Sequence, residues 1–293
     1  MYEDFYGLKQ RPFLMTADPD FLYWSEVHAM AYTMLRYGVM SHAPLTVVTG
    51  EIGIGKTTLV RHLINEMPDD RVVGLVSNMQ EGRGDLLHWV MMSLDQDFEQ
   101  GAYVENFRRF QEQVIENYAE GRRTVLIFDE AQNMSTTSLE ELRMLSNINA
   151  DKDELLQIVL VGQPQLRDRL RRPEMVQVLQ RVAADFHIEV LTLHETRQYI
   201  EHRLIKAGAR HTPFPPETCA LIFDATGGVP RLINSLCDLA LVYACEKGLP
   251  LVARETLRDF LDSTEKHGIF AKFRLNNRSP QLVKSAKLLR RPA

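Results

Sequence analysis

Cysteine is scarce in this chain: three in 293 residues, at Cys219, Cys237 and Cys245, with no C-x-x-C spacing and no matching histidine cluster. That excludes a disulfide framework and a cysteine-rich zinc site, and leaves free thiols in a reducing compartment as the expectation. Long apolar runs are missing as well, since no stretch of eighteen or more such residues occurs. The opening Met1-Tyr-Glu-Asp-Phe-Tyr6 lacks the basic-then-apolar pattern of a secretion signal. A cytoplasmic protein, at most peripheral at the inner membrane, is expected. Repeats and low-complexity segments are absent. Acidic residues disappear from Lys266 onward, where eight Lys and Arg stand unopposed, so the net charge of −5 splits into about −13 for the body and a basic tail.

What is present is enough for a full core, with 45% apolar residues. Short β-type runs at 45–49, 72–77, 124–128, 157–161 and 186–190 alternate with helical patterns at 83–94, 104–119 and 138–148, an α/β layout with a mostly parallel sheet. Strand-rich sequence stops near Leu193. Helical patterns follow, interrupted by Thr212-Pro-Phe-Pro-Pro216, Gly227-Gly-Val-Pro230 and Gly248-Leu-Pro250. The expected division is a linker over 1–40, an α/β domain over 41–193, a small helical domain over 194–264 and a basic tail over 265–293.

Residues 50–57 read Gly-Glu-Ile-Gly-Ile-Gly-Lys-Thr, a complete G-x-x-x-x-G-K-[ST] pattern. It stands between an expected strand and an expected helix at 58–66, the setting a phosphate-binding loop requires. Glycines let the backbone wrap a phosphate chain, and successive N–H groups with the positive end of the next helix stabilise its charge. The binding set is therefore Gly50, Gly53, Ile54, Gly55, Lys56, Thr57 and Thr58. Lys56 is expected to reach the β- and γ-phosphates, and the Thr57 hydroxyl to ligate Mg²⁺.

About seventy residues on, Thr124-Val-Leu-Ile-Phe-Asp-Glu130 is an apolar run ending in two carboxylates. Asp129 is expected to hold Mg²⁺ from a strand lying beside the one that feeds the loop. Glu130, at the mouth of the site, is expected to orient and polarise an attacking water. ATP and Mg²⁺ are the cofactors this pairing implies. No Asn-Lys-x-Asp motif for reading guanine occurs.

Five motifs in order resemble the AAA+ ATPases of the ExeA, or general secretion pathway A, type. These are Tyr2-Glu-Asp-Phe-Tyr-Gly-Leu-Lys-Gln-Arg-Pro-Phe13 with Ala17-Asp-Pro-Asp-Phe-Leu-Tyr23, Ser25 and His28; Leu126-Ile-Phe-Asp-Glu-Ala-Gln132; Gln157-Ile-Val-Leu-Val-Gly-Gln-Pro-Gln-Leu166; Leu179-Gln-Arg181; and Gly227-Gly-Val-Pro-Arg-Leu-Ile-Asn234. The resemblance runs from residue 1 to about 264. It implies a P-loop AAA+ parallel sheet with flanking helices followed by an α-helical lid, and an ATP hydrolase. The chain would work as a homo-oligomer, ring or filament, whose ATP site is shared between subunits. By the same resemblance Gln163 corresponds to a γ-phosphate sensor at a strand end, with Asn147 an alternative. Arg181 corresponds to a finger offered to the neighbouring subunit, with no target in its own subunit expected, or else to an intrasubunit ion pair. Arg231 corresponds to the sensor in the lid. Phe13, with Pro12, would cover the adenine side or simply staple the N-terminal segment to the core.

The chain shows neither the membrane-spanning segment nor the wall-binding domain that secretion-pathway members of this type often carry, which points to action through a protein partner in an envelope, secretion, pilus or polysaccharide-export assembly. A second reading is an ATP-dependent DNA-binding regulator resembling transposon-regulator ATPases. It draws on the basic tail, on Arg108-Arg109 and Arg122-Arg123, and on Arg167-Asp-Arg-Leu-Arg-Arg172. A nucleotide-gated scaffold without hydrolysis is a third.

Overall fold

The structure, a computed structural model, describes residues 1–16, 18–77, 79, 85–148 and 153–267. The basic tail and its expected partners therefore lie outside the described residues, apart from the end of the last helix. In chain order the elements are α1 (Glu3–Tyr6), α2 (Glu26–Met40), β1 (Leu45–Gly50), α3 (Lys56–Asn65), β2 (Arg71–Ser77), α4 (Leu86–Ser93), α5 (Tyr103–Ala119), β3 (Arg123–Asp129), α6 (Thr136–Leu145), β4 (Leu156–Gly162), α7 (Pro164–Leu170), α8 (Val176–Leu179), β5 (Val182–Ile188), α9 (Leu193–Lys206), α10 (Pro216–Thr226), α11 (Pro230–Glu246) and α12 (Arg254–His267). They form two compact units, one of residues Thr16–Val190 and one joining Met1–Met15 to the described residues from Leu191 onward. The first fifteen residues thus cluster with the helical unit, and residues 16–40 with the α/β unit.

The α/β unit is built on a five-stranded sheet in the order β2-β3-β4-β1-β5, with every pairing parallel. All of β1 and β4 and nearly all of β3 are buried, which is why these strands read as mostly apolar runs with no in–out alternation of polar residues. Alternate residues still face opposite layers. Leu126 and Phe128 join the cluster containing Leu87, Phe110 and Leu142 from α4, α5 and α6, whereas Val125 and Ile127 join Leu35, Leu59 and Leu63 from α2 and α3. The order corrects one expectation: β3, which carries Asp129, does not lie beside β1, because β4 is inserted between them. The inserted strand brings Gly162 and Gln163 in between the phosphate loop and the paired carboxylates. A long apolar run can be placed anywhere in a fully covered sheet, so the sequence pattern could not rank the strands.

The helical unit holds the N-terminal segment tightly. Tyr2 and Phe13 are each 1% exposed, and the Phe13 ring stands edge-on to Phe214 with centroids 6.1 Å apart. Buried Arg203 donates from Nε to the Pro12 carbonyl at 2.6 Å and from Nη2 to the Leu14 carbonyl at 3.3 Å, while Asn234 Nδ2 donates to Leu14 at 3.2 Å. Tyr2 donates to Asp238, which also pairs with Arg11. Helix α9 starts in a capping box between Thr192 and Glu195. Gly227 and Gly228 between α10 and α11 both have positive φ; a Cβ on Gly228 would fall 2.0 Å from the Leu191 carbonyl oxygen, so the turn admits no side chain there. The cysteines are free thiols, Cys219 and Cys237 buried and Cys245 half-buried, and burial pushes the Cys219 thiol up to about 11. Among the described residues no helix is long and apolar enough to cross a membrane.

Candidate functional site

The C-terminal ends of β1, β3 and β4 open onto one place, the expected position for a ligand in an open parallel sheet. From β1 the chain turns through the loop into α3. Gly53 and Gly55 take φ values of 79° and 109°, a conformation L side chains rarely adopt, and Gly55 is the residue from which α3 starts. This helix has no side-chain cap, so its first N–H groups are left for another acceptor. Ile54 is fully buried and anchors the loop in the sheet-facing core of α2 and α3. Thr58 follows, half-buried, in the first turn.

Lys56 is only 5% exposed, and its ammonium donates to the carbonyls of Gly50 at 2.8 Å and Glu51 at 3.0 Å. Burial lowers its pKa, opposed by the nearby carboxylates of Glu130, Asp129 and Glu51. Thr57 Oγ1, in the first turn of α3, donates to Asp129 Oδ2 at 2.7 Å, and Asp129 Oδ1 accepts the Glu130 backbone N–H at 2.9 Å. Burial raises the Asp129 carboxyl above its usual range, against the opposing effect of these two hydrogen bonds.

Glu130 has φ 57°, left-handed for a residue with a side chain, and leads into a 3₁₀ turn, Ala131–Asn133. Its Oε2 accepts from two amides, Gln132 Nε2 at 2.6 Å and Gln163 Nε2 at 3.2 Å. The structure therefore brings Lys56, Thr57, Asp129, Glu130 and Gln163 together. Asn147, the alternative to Gln163, instead accepts from Arg181.

Arg181 also donates to the Ser146 carbonyl at 3.2 Å and the Ser146 hydroxyl at 2.9 Å, so it does have targets in its own subunit. These are neutral acceptors on the turn after α6, a tertiary neighbour that the spacing in sequence did not reveal. Arg231 is exposed in the first turn of α11, and Phe13 is buried with Phe214, both in the helical unit and not in the unit that carries the phosphate loop.

His28 and Gln132 stand within the motifs above, and nothing in the sequence assigns either a role. His28, 4% exposed on α2, places Nε2 2.8 Å from the Ile54 carbonyl, and its Nδ1 is 2.7 Å from the Ser25 hydroxyl. With the ring neutral, Nε2–H donates to the loop and Nδ1 accepts from Ser25, whose oxygen also caps the helix by accepting the His28 N–H. The S-x-x-H spacing at a helix start was the available signal.

Residues 39–170 match the AAA domain family. Over 249 residues the chain is 35% identical to general secretion pathway protein A of Aeromonas hydrophila, covering 85% of this chain and 46% of that protein, so the chain spans about half the length of this curated relative. Among solved structures, CDC6P from Pyrobaculum aerophilum is similar with a TM-score of 0.62 at 15% identity. The ORC2 protein of Aeropyrum pernix in ADPNP–ADP complexes is similar with a TM-score of 0.57 at 20% identity. Each match covers 80% of this chain and 66% of the other. Likeness at such identity establishes the fold. With its complete phosphate loop and its β2-β3-β4-β1-β5 sheet, the chain has the P-loop AAA+ fold, carries an AAA domain over residues 39–170, and is similar over most of its length to general secretion pathway protein A.

Proposed function

We propose that this chain is a Mg²⁺-dependent ATP hydrolase that acts as a nucleotide-controlled oligomer, an assembly motor or switch for an envelope, secretion, pilus or polysaccharide-export complex. The observation that carries it is the convergence of Lys56, Thr57, Asp129, Glu130 and Gln163 at the strand ends. The loop N–H groups and Lys56 bind and orient the phosphate chain. Thr57 Oγ1 and Asp129 Oδ2 are hard oxygen donors on adjoining atoms, and a buried carboxylate whose proton affinity is raised by desolvation is stabilised by a cation; both features suit Mg²⁺. When bound, Mg²⁺ supplies positive charge against the phosphate oxygens. Glu130 holds the attacking water and takes its proton, and Gln163 donates to the same carboxylate, so the state of one is felt by the other.

Arg181 serves the neighbouring subunit in this proposal, exchanging Ser146 and Asn147 for phosphate oxygens, which a guanidinium ligates in pairs. Arg181→Ala should abolish turnover and spare ATP binding, checked by a phosphate-release assay beside a nucleotide titration; equal loss of both would overturn the shared site. Size-resolved light scattering of Glu130→Gln protein with ATP and Mg²⁺, with and without duplex DNA, tests assembly. Oligomers without DNA support the switch, and assembly only on DNA supports the regulator.

The described arginines favour the first reading. Arg108 pairs with Glu105 and Glu112, Arg109 with Glu99 and Glu105, Arg122 with Glu120 and Arg172 with Glu174, so these are charge-balanced surfaces. Arg169 points inward to the carbonyls of Gln132 and Met134.

His28→Ala should weaken nucleotide binding about fivefold, the effect of losing one buried hydrogen bond of about 1 kcal/mol that braces the loop. Titration with a fluorescent nucleotide analogue reads this directly. Unchanged affinity would show that the loop holds its shape without the imidazole.

A further inference from the structure

Gln132 lies two residues beyond Glu130, in the 3₁₀ turn, and its side-chain amide is used at both ends. Nε2 donates to Glu130 Oε2 at 2.6 Å, and Oε1 accepts the backbone N–H of Gln163 at 2.9 Å. Gln163 closes the ring by donating its own Nε2 to Glu130 Oε2 at 3.2 Å. The orientation of the Gln132 amide is fixed chemically, because turning it over would set an NH₂ against the Gln163 N–H and an oxygen against a carboxylate. The turn is itself fastened, with Arg169 Nη1 donating to the Gln132 carbonyl at 3.0 Å and the Met134 carbonyl at 2.6 Å. Gly162 leaves room for the bridge: a Cβ there would come 3.1 Å from Gln132 Oε1 and 2.8 Å from Leu166.

We propose that Gln132 is a positioning residue for hydrolysis, which aims the Glu130 carboxylate and ties it to the strand end that carries Gln163; this rests on the hydrolase reading above. Both amides occupy Oε2, and among the described residues Oε1 carries no hydrogen bond. The carboxylate is thus held with one oxygen turned to the frame and the other left for water. Glu130 needs such a hold because its left-handed backbone is not a conformation its own side chain favours. Gln132 makes no contact with the loop residues in the described hydrogen bonds, so its effect is on turnover and not on ATP binding.

The test is a double-mutant cycle read by single-turnover hydrolysis and by ATP titration. Gln132→Leu, one bond shorter and without the amide, should slow hydrolysis about tenfold or more, the scale of misaiming a reacting group by a fraction of an ångström. The Kd for ATP should stay within about twofold of wild type. In a Glu130→Gln background the same change should cause no further loss, because the carboxylate it aims is gone. A second variant, Gln132→Glu, keeps the acceptor for the Gln163 N–H but sets a like charge against Glu130, and should be at least as slow. Equal losses in both backgrounds, or weakened ATP binding in parallel, would show a structural role and overturn the inference. Wild-type hydrolysis with an unimpaired Gln132→Leu variant would overturn this inference alone, whereas absence of hydrolysis in wild type would overturn the hydrolase reading beneath it.

Discussion

Glu130→Gln should lower ATP turnover by on the order of a hundredfold or more while ATP remains bound, the effect of removing one positioned base. The substitution is well matched to the site. An amide oxygen at the same place still accepts from Gln132 and Gln163, so the ring of hydrogen bonds and the 3₁₀ turn persist. Lys56, Thr57 and Asp129 keep their partners, which leaves the binding of the phosphate chain unchanged. The loss therefore belongs to the step in which the carboxylate takes a proton. Phosphate release together with filter retention of labelled ATP measures both halves, and normal turnover would show that another group activates the water.

Asp129→Asn should produce two effects of opposite sign. Hydrolysis should fall by roughly a thousandfold, since the anionic oxygen for Mg²⁺ is lost while the neutral amide keeps a similar shape. In chelator-treated, nucleotide-free protein, however, the melting temperature at pH 7 to 8 should rise. Burial holds the Asp129 carboxyl above its unfolded range, so the folded state binds a proton more readily than the unfolded one. Whatever stability this group contributes is present at acid pH and is lost as pH rises through its folded pKa. At neutral pH the charged carboxylate costs stability, and Asn removes that cost. The advantage of the variant should shrink as pH falls toward the carboxylate range, because both proteins are then neutral at this position. A lower melting temperature at neutral pH would mean that the hydrogen bonds from Thr57 and the Glu130 N–H outweigh desolvation.

Local chemistry made much of the fold and part of the site legible. The loop glycines announce positive φ, the apolar runs announce covered strands, and carboxylates after an apolar strand announce a strand end open to ligand. The expected strands at 45–49, 72–77 and 124–128 each fall within one residue of the observed ends, while the run at 186–190 is displaced, since β5 begins at Val182. That strand borders the sheet and its burial alternates irregularly, so it lacks the mostly apolar, fully covered signature of β1 and β4.

A phosphate loop, its Lys and Thr, two carboxylates at a strand end, and an α/β unit followed by helices are all written in local stretches of residues, because each depends on neighbours a few positions apart. It takes the folded chain to show that β4 stands between β1 and β3, that Gln132 bridges Glu130 and Gln163, that His28 bonds to the loop, that Arg181 rests on Ser146 and Asn147, and that Phe13 packs with Phe214. Apart from the short step from Glu130 to Gln132, those facts join residues from 26 to 201 positions apart, and such contacts are fixed by how strands and helices share their buried faces, which no local pattern of residues records.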